Sequence, residues 1–182
     1  DNAIAKELPP LKRDKARFAT RLEPLAETGW SQDGREQVSF EVSTNPGTPL
    51  GPIGRIASGG ELARFMLALK VVLARSGSAP TLVFDEVDSG IGGATAAAVG
   101  ERLARLGRTV QVLVVTHSPQ VAARAGHHFR VEKQVKGAAK TTTRVRGLDG
   151  AERREELARM LAGAAVTDEA RSAADALLAG GK

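Results

Sequence analysis

Two short runs constrain this chain more than any other feature. Thr81-Leu82-Val83-Phe84-Asp85 and Thr109-Val110-Gln111-Val112-Leu113-Val114-Val115-Thr116 are apolar almost throughout and rich in β-branched residues. Each is short for a helix, and each has the composition of a strand inside a parallel sheet. Between them, residues 93–106 carry a helical pattern that Gly107 ends. A helix over about 60–75 precedes the first run. Ser118-Pro119 opens another after the second, with Ser as N-cap and Pro at the first helical position. Helix, strand, helix, strand, helix is the order of an α/β layer around a parallel sheet. In such a sheet Asp85 and Thr116 end side by side, on the edge where ligands bind.

The flanking segments read more simply. Residues 1–15 are polar, carry Pro9-Pro10 and read as a lead-in. Residues 16–23 and 37–43 alternate and read as antiparallel strands, with Val38, Phe40 and Val42 on one face. Residues 44–54 are a Pro/Gly loop. In the first helix Leu62, Phe65, Met66, Leu69, Val72 and Leu73 follow helical spacing, and Leu67 and Val71 widen the stripe. Residues 127–134 and 140–146 read as a hairpin, and 151–162 and 168–179 as two tail helices.

Composition narrows the chemistry. The chain has 182 residues, one domain's worth with at most a short appendage, and its 42% hydrophobic content supports a core. With one Trp, five Phe and no Tyr, that core rests on Leu, Val, Ile and Ala. Cys is absent, which removes disulfides, thiolate metal sites and a cysteine nucleophile, and fits a reducing cytoplasm. No apolar stretch reaches the roughly 18 residues of a membrane span, so no membrane partner is expected. The net charge of +5 is compatible with nucleic acid or nucleotide binding. The sequence starts at Asp1-Asn2-Ala3 without Met, as expected for part of something longer.

Three clusters carry candidate chemistry. The first, Ala57-Ser58-Gly59-Gly60-Glu61, places two glycines in the first turn of a helix, where each costs about 1 kcal/mol relative to Ala. Ser58 and Glu61 have capping-box spacing, which accounts for those two residues but not for the glycines. Two residues without Cβ leave the first-turn N–H groups bare, so a large anion can approach the positive end of the helix. In the second cluster, Asp85 sits at a strand end where a carboxylate can hold a Mg²⁺-bound water. Glu86, pointing the other way on an extended chain, can act as a general base toward water. An acidic turn with Asp88 capping the next helix is the plain alternative. The third is His117, directly after the second strand and near Asp85 and Glu86, able to donate to a phosphate or simply to fill the entry to a helix. His127 and His128 read as ordinary surface and strand positions.

Taken in order, these three motifs resemble the C-terminal lobe of an ABC-type ATPase head. Ala57–Glu61 looks like the signature motif, Thr81–Glu86 like Walker B and His117 like the switch histidine. Within that superfamily, FDEVDSGIGG and VTHSPQVAA look more like the RecN family of bacterial DNA repair proteins, relatives of the SMC proteins, than like transporters. The resemblance implies an α/β fold, ATP and Mg²⁺ as ligands, and a cytoplasmic, nucleoid-associated protein of double-strand break repair and recombination. It implies that residues 1–15 lead in from a coiled coil and that 16–182 form the lobe. Asp85 would orient Mg²⁺ through water, Glu86 would activate the hydrolytic water and His117 would contact the γ-phosphate. Ser58, Gly59, Gly60 and Glu61 would meet the ATP of a second head, so that two heads sandwich two nucleotides.

Two departures from the family pattern follow. No G-x-x-x-x-G-K-[ST] is present, so the phosphate-cradling loop is expected on a separate N-terminal lobe, and the chain on its own is expected to be inactive. The D-loop, Asp88-Ser89-Gly90-Ile91-Gly92, has Gly92 where the family carries Asp; Asp88 or backbone groups are expected to replace its contact across the dimer. Two other readings compete. Asp85, Glu86 and Asp88 could hold a metal directly in a nuclease or phosphotransfer domain. Alternatively, Lys133, Lys136, Lys140, Arg144 and Arg146 on the hairpin could make a non-catalytic DNA-binding or dimerisation module, against the plainer reading of a charge-protected edge strand.

Overall fold

The computed structural model describes residues 1–55, 59–73, 79–136, 140–163 and 165–180; at 135, 136, 140 and 141 it describes the backbone alone. The elements are α1 (Asn2–Glu7), β1 (Arg17–Pro24), β2 (Glu36–Ser43), β3 (Gly51–Pro52), α2 (Gly59–Val72), β4 (Thr81–Asp85), α3 (Gly93–Leu106), β5 (Gln111–Val115), α4 (Pro119–Ala122), β6 (Phe129–Lys136), β7 (Lys140–Gly147), α5 (Gly150–Ala162) and α6 (Asp168–Ala179). β4 and β5 pair in parallel, in register from Thr81↔Gln111 to Asp85↔Val115, as the two apolar runs predict. β1 and β2 form an antiparallel pair that β3 extends, and β6 and β7 form a separate hairpin.

The main core lies between these layers. Phe65, Leu67, Ala68 and Leu69 of α2 meet Phe84, Val87 and the Ala96–Val99–Leu103–Leu106 stripe of α3. Val42 joins from β2 and Val121 from α4. α3 and α4 approach closely at Gly100, where a Cβ would lie 2.9 Å from Arg124 Cγ and 3.1 Å from the Gln120 carbonyl oxygen. A smaller core of Ala122, Ala123, Leu157, Ala158, Ala170 and Ala174 ties α5 and α6 to the end of α4.

Four expectations change. Residues 1–15, read as a polar lead-in, also contribute to the core: α1 and a 3-10 turn over Pro9–Leu11 carry Ile4, Leu8 and Leu11 into it. Glu7 on the same segment takes Arg102 of α3 at 2.9 Å. The stripe of α2 is rotated, because Met66 and Leu73 face solvent while Ala68 and the charged Arg64 face inward. The parallel strands are covered on one face only, leaving Val83, Leu113 and Val115 exposed at 66%, 47% and 61%. Ser118 does occupy the N-cap of α4, but its hydroxyl bonds the Gln120 side chain and not the helix backbone.

Candidate functional site

The C-terminal ends of β4 and β5 form one rim, because parallel pairing sets Asp85 opposite Val115. His117 follows two residues later, so Asp85, Glu86 and His117 gather at the same end of the sheet, and all three are exposed. Among the described residues, none of the three makes a side-chain ion pair or hydrogen bond within the chain. Glu86 is not on extended backbone as expected. Its φ of +54° puts it in the left-handed region, which costs a non-glycine residue about 1–3 kcal/mol and persists only where the surroundings hold it.

What holds it is the turn that follows. Ser89 N–H donates to the Glu86 carbonyl at 3.0 Å, and Ile91 N–H to the Asp88 carbonyl at 3.3 Å. Val87 and Asp88 are thereby folded fully inside, at 0% exposure. Asp88 Oδ2 accepts from the Thr116 hydroxyl and from Ser118 N–H, the latter at 3.2 Å. Ser118 N–H also donates to Thr116 Oγ1 at 2.9 Å. The residues on either side of His117 are therefore tied to the turn after β4. Arg153 of α5 secures the other end of α4, donating to the carbonyls of Ala122, Ala123 and Ala125.

These contacts change three readings of Asp88. It does not cap α3, whose N-cap is Gly92 without a side-chain bond, and it is too deeply buried to reach across to another head. Nor does it stand with Asp85 and Glu86 as a three-carboxylate metal site. No group of three potential metal ligands exists among the described residues. Asp85 alone suits a Mg²⁺ that keeps its water shell and leans on phosphate oxygens.

The start of α2 meets the same turn from the other side. Ser58, and with it the capping box, lies outside the described residues. Gly59 is open, with nothing within 4 Å of where a Cβ would stand. Gly60 is not: its Cβ would lie 3.2 Å from the Ser89 carbonyl oxygen and 3.3 Å from Arg64 Nη1. One glycine therefore leaves room for an anion, and the other lets the turn after β4 pack against the helix start. Glu61 spends its carboxylate on Arg13 at 2.6 Å. Buried Arg64 donates to the Ser89 carbonyl at 3.2 Å. Burial first, and then Arg13, lower its pKa, while Glu61 opposes them. Ser89, Gly90 and Gly92 stay exposed on the loop.

The hairpin cations do not form one patch. Lys133 is exposed on the strand face that carries Phe129 and Val131, whereas Arg144 sits opposite Glu132 on the alternate face. Arg146 is engaged by Glu152. Lys136 and Lys140 pair in register at the tip; their side chains lie outside the described residues.

Residue reasoning missed Arg64, Arg13 and the inward turn of Asp88. A charged residue in the apolar stripe of α2 was the available sign for Arg64, since Arg is almost never buried unless paired.

Comparison with known proteins gives one negative and two positive findings. No family model matches the chain. It is 46% identical over 179 residues to the DNA repair protein RecN of Vibrio cholerae and 45% identical to that of Rickettsia conorii, in each case over 98% of this chain and 32% of the relative. To RecN of Deinococcus radiodurans it is 54% identical over 148 residues, which is 81% of this chain and 25% of that protein. The chain thus spans about a third of the length of the curated relatives it matches. Among solved structures, the Smc head domain with a coiled coil and joint from Pyrococcus yayanosii matches with a TM-score of 0.59 at 24% identity, over 86% of this chain and 28% of that one. The Smc head from Pyrococcus furiosus, bound to the C-terminal domain of ScpA, matches with a TM-score of 0.53 at 19% identity, over 86% and 37%. These likenesses show the fold: mixed α/β, of the SMC head type.

Proposed function

From the premise that this is a RecN-type sequence on an SMC-head fold, we propose that it forms the C-terminal lobe of an ATPase head acting in DNA double-strand break repair. The observation that carries this reading is the convergence on one turn. Residues 86–91 hold Glu86 at the sheet rim, grip both flanks of His117, and pack against Gly60 at the start of α2. Exposed Glu86 takes a proton from the attacking water, and exposed His117 donates to the terminal phosphate. Asp85 would hold Mg²⁺ through a water, and the bound ion would supply charge neutralisation on the phosphate oxygens. The first turn of α2, open at Gly59, receives the terminal phosphate of ATP held by a second head, with Ser58, next to it in sequence, as a further donor.

The exposed faces support the need for a further lobe. Parallel strands are ordinarily covered on both sides, yet Val83, Leu113 and Val115 are bare, as are Phe129, Val131 and Val145 on the hairpin. An N-terminal lobe bearing the Walker A loop is the occupant that the greater length of the relatives suggests. DNA contact falls to exposed Arg144, on the hairpin face away from Phe129 and Val131, together with the Lys136–Lys140 tip, and the cytoplasm is the proposed compartment.

The test is ATP turnover by the chain alone and after co-expression with such a lobe. Turnover that appears only with both lobes, and that requires Mg²⁺, is the expected result. No turnover with both, together with metal-dependent DNA cutting by this chain alone, would replace the reading with that of a nuclease.

A further inference from the structure

We infer that Asp88 is a positioning residue for ATP turnover, holding His117 and Glu86 in one frame without touching nucleotide. The inference rests on the reading of the site given above. Asp88 is completely buried. Its Oδ2 takes hydrogen bonds from Thr116 and Ser118, residues 28 and 30 positions along the chain, and these are the immediate neighbours of His117. The loop that carries His117 is only residues 116–118, between the last residue of β5 and the first of α4. Ser118 gives that loop no helix cap, because its hydroxyl is turned to Gln120. The ties to Asp88 therefore take the place of a cap and fix where His117 leaves the backbone.

On its other side Asp88 stands two residues from Glu86, inside the turn that holds Glu86 at a φ of +54°. If Asp88 lets go, the switch loop and the strained glutamate lose their common anchor. Asp88 Oδ1 is buried without a hydrogen-bond partner, and among the described residues no cation pairs with this carboxylate. A buried carboxylate served by two neutral donors is a costly way merely to fasten a loop, since an amide or hydroxyl would do so with a smaller desolvation penalty. That expense is intelligible where the position of two reacting groups is at stake, because a displacement of about 1 Å can cost on the order of 10²-fold in rate.

The test uses the head assembled from this chain and a Walker A lobe. Asp88→Ala should lower kcat by about 10–100-fold with little change in KM, as for an interaction needed in the transition state but not for ATP binding. Asp88→Asn, which keeps an acceptor for both donors, should restore part of the loss. Thr116→Val breaks the same link from the other end, so the double variant Asp88→Ala/Thr116→Val should be no slower than Asp88→Ala alone. Should Asp88→Ala fail to fold, Thr116→Val carries the test with a smaller loss of kcat at unchanged KM. Unaltered kcat in folded variants, a loss confined to KM, or additive losses in the double variant would overturn the inference. A parent assembly without turnover would overturn this inference and the proposed function together; an active parent with unaffected variants would overturn this inference alone.

Discussion

The two ends of this molecule are finished to different degrees. The α5–α6 pair is closed: Leu157, Ala158, Ala170 and Ala174 are buried, and the charges outside them answer one another. Arg154 meets Asp175 in a two-pronged pair at 2.7 and 2.8 Å, Arg171 meets Glu155 at 2.8 Å, and Arg159 meets Glu156 at 2.6 Å. The β4–β5 layer is open. Large apolar side chains stand in solvent on one face, and at its rim Asp85, Glu86 and His117 have no partners among the described residues. A closed region satisfies its groups within the chain and contributes stability. An open one keeps its groups unsatisfied for something outside the chain to use.

If that contrast is right, changes in the open layer should act on assembly and leave the chain's own stability alone. Val115→Lys has the largest expected effect. It should prevent copurification with a Walker A lobe, because an unpaired charge would be buried there. The melting of the chain itself should move little, since exposed substitutions stay within about 0.5 kcal/mol. A drop in the chain's own stability would mean that the face is already covered. Leu157→Ala is the converse. It should cost about 2–5 kcal/mol by denaturant titration, while the folded fraction keeps its turnover in the assembled head. A loss of kcat at full folding would join the tail to the site and break the contrast.

The smallest effect is a dependence of the tail on acid. The Glu156 carboxyl lies below its usual range, chiefly through its hydrogen bond to Arg159 and then through Arg159, Arg130 and His128 nearby. A depressed carboxyl contributes stability above its unfolded pKa of about 4.3 and loses it as pH falls through the folded value. His128 is also depressed, by burial first and by Arg153 second. The fold therefore favours its neutral ring, and stability begins to fall below an unfolded pKa of about 6.5. Urea titrations from pH 7 downward should show a mild loss first and a second loss below pH about 4.3, where the carboxyl begins to protonate. A flat profile over both ranges would contradict these couplings.

Periodicity makes much of this architecture readable in the sequence. The parallel pair, α3 ending at Leu106 before Gly107, the hairpin and both tail helices all rest on local patterns of two or about 3.6 residues. The common rim of Asp85 and His117 followed from the crossover alone. What stayed hidden depended on contacts distant in sequence. Ile4, Leu8 and Leu11 sit on one face, but Pro9-Pro10 and the surrounding charges conceal the spacing. Arg64 turns inward because the Ser89 carbonyl, 25 residues on, accepts from it, and Met66 then faces out. Asp88 reads as a capping or surface acid until Thr116 and Ser118 are seen to close over it. Both glycines read as access for a phosphate, but only Gly59 stands open, while Gly60 is where the turn after β4 rests.

The central claim is that the start of α2 serves a nucleotide held by another head while Glu86 serves its own. Its most direct test is the light-scattering mass of the two-lobe Glu86→Gln assembly with and without ATP and Mg²⁺. The account predicts one head without nucleotide, two with it, and one again when Ser58→Arg is added. A mass indifferent to ATP, or a nucleotide-dependent pair that survives Ser58→Arg, would contradict it.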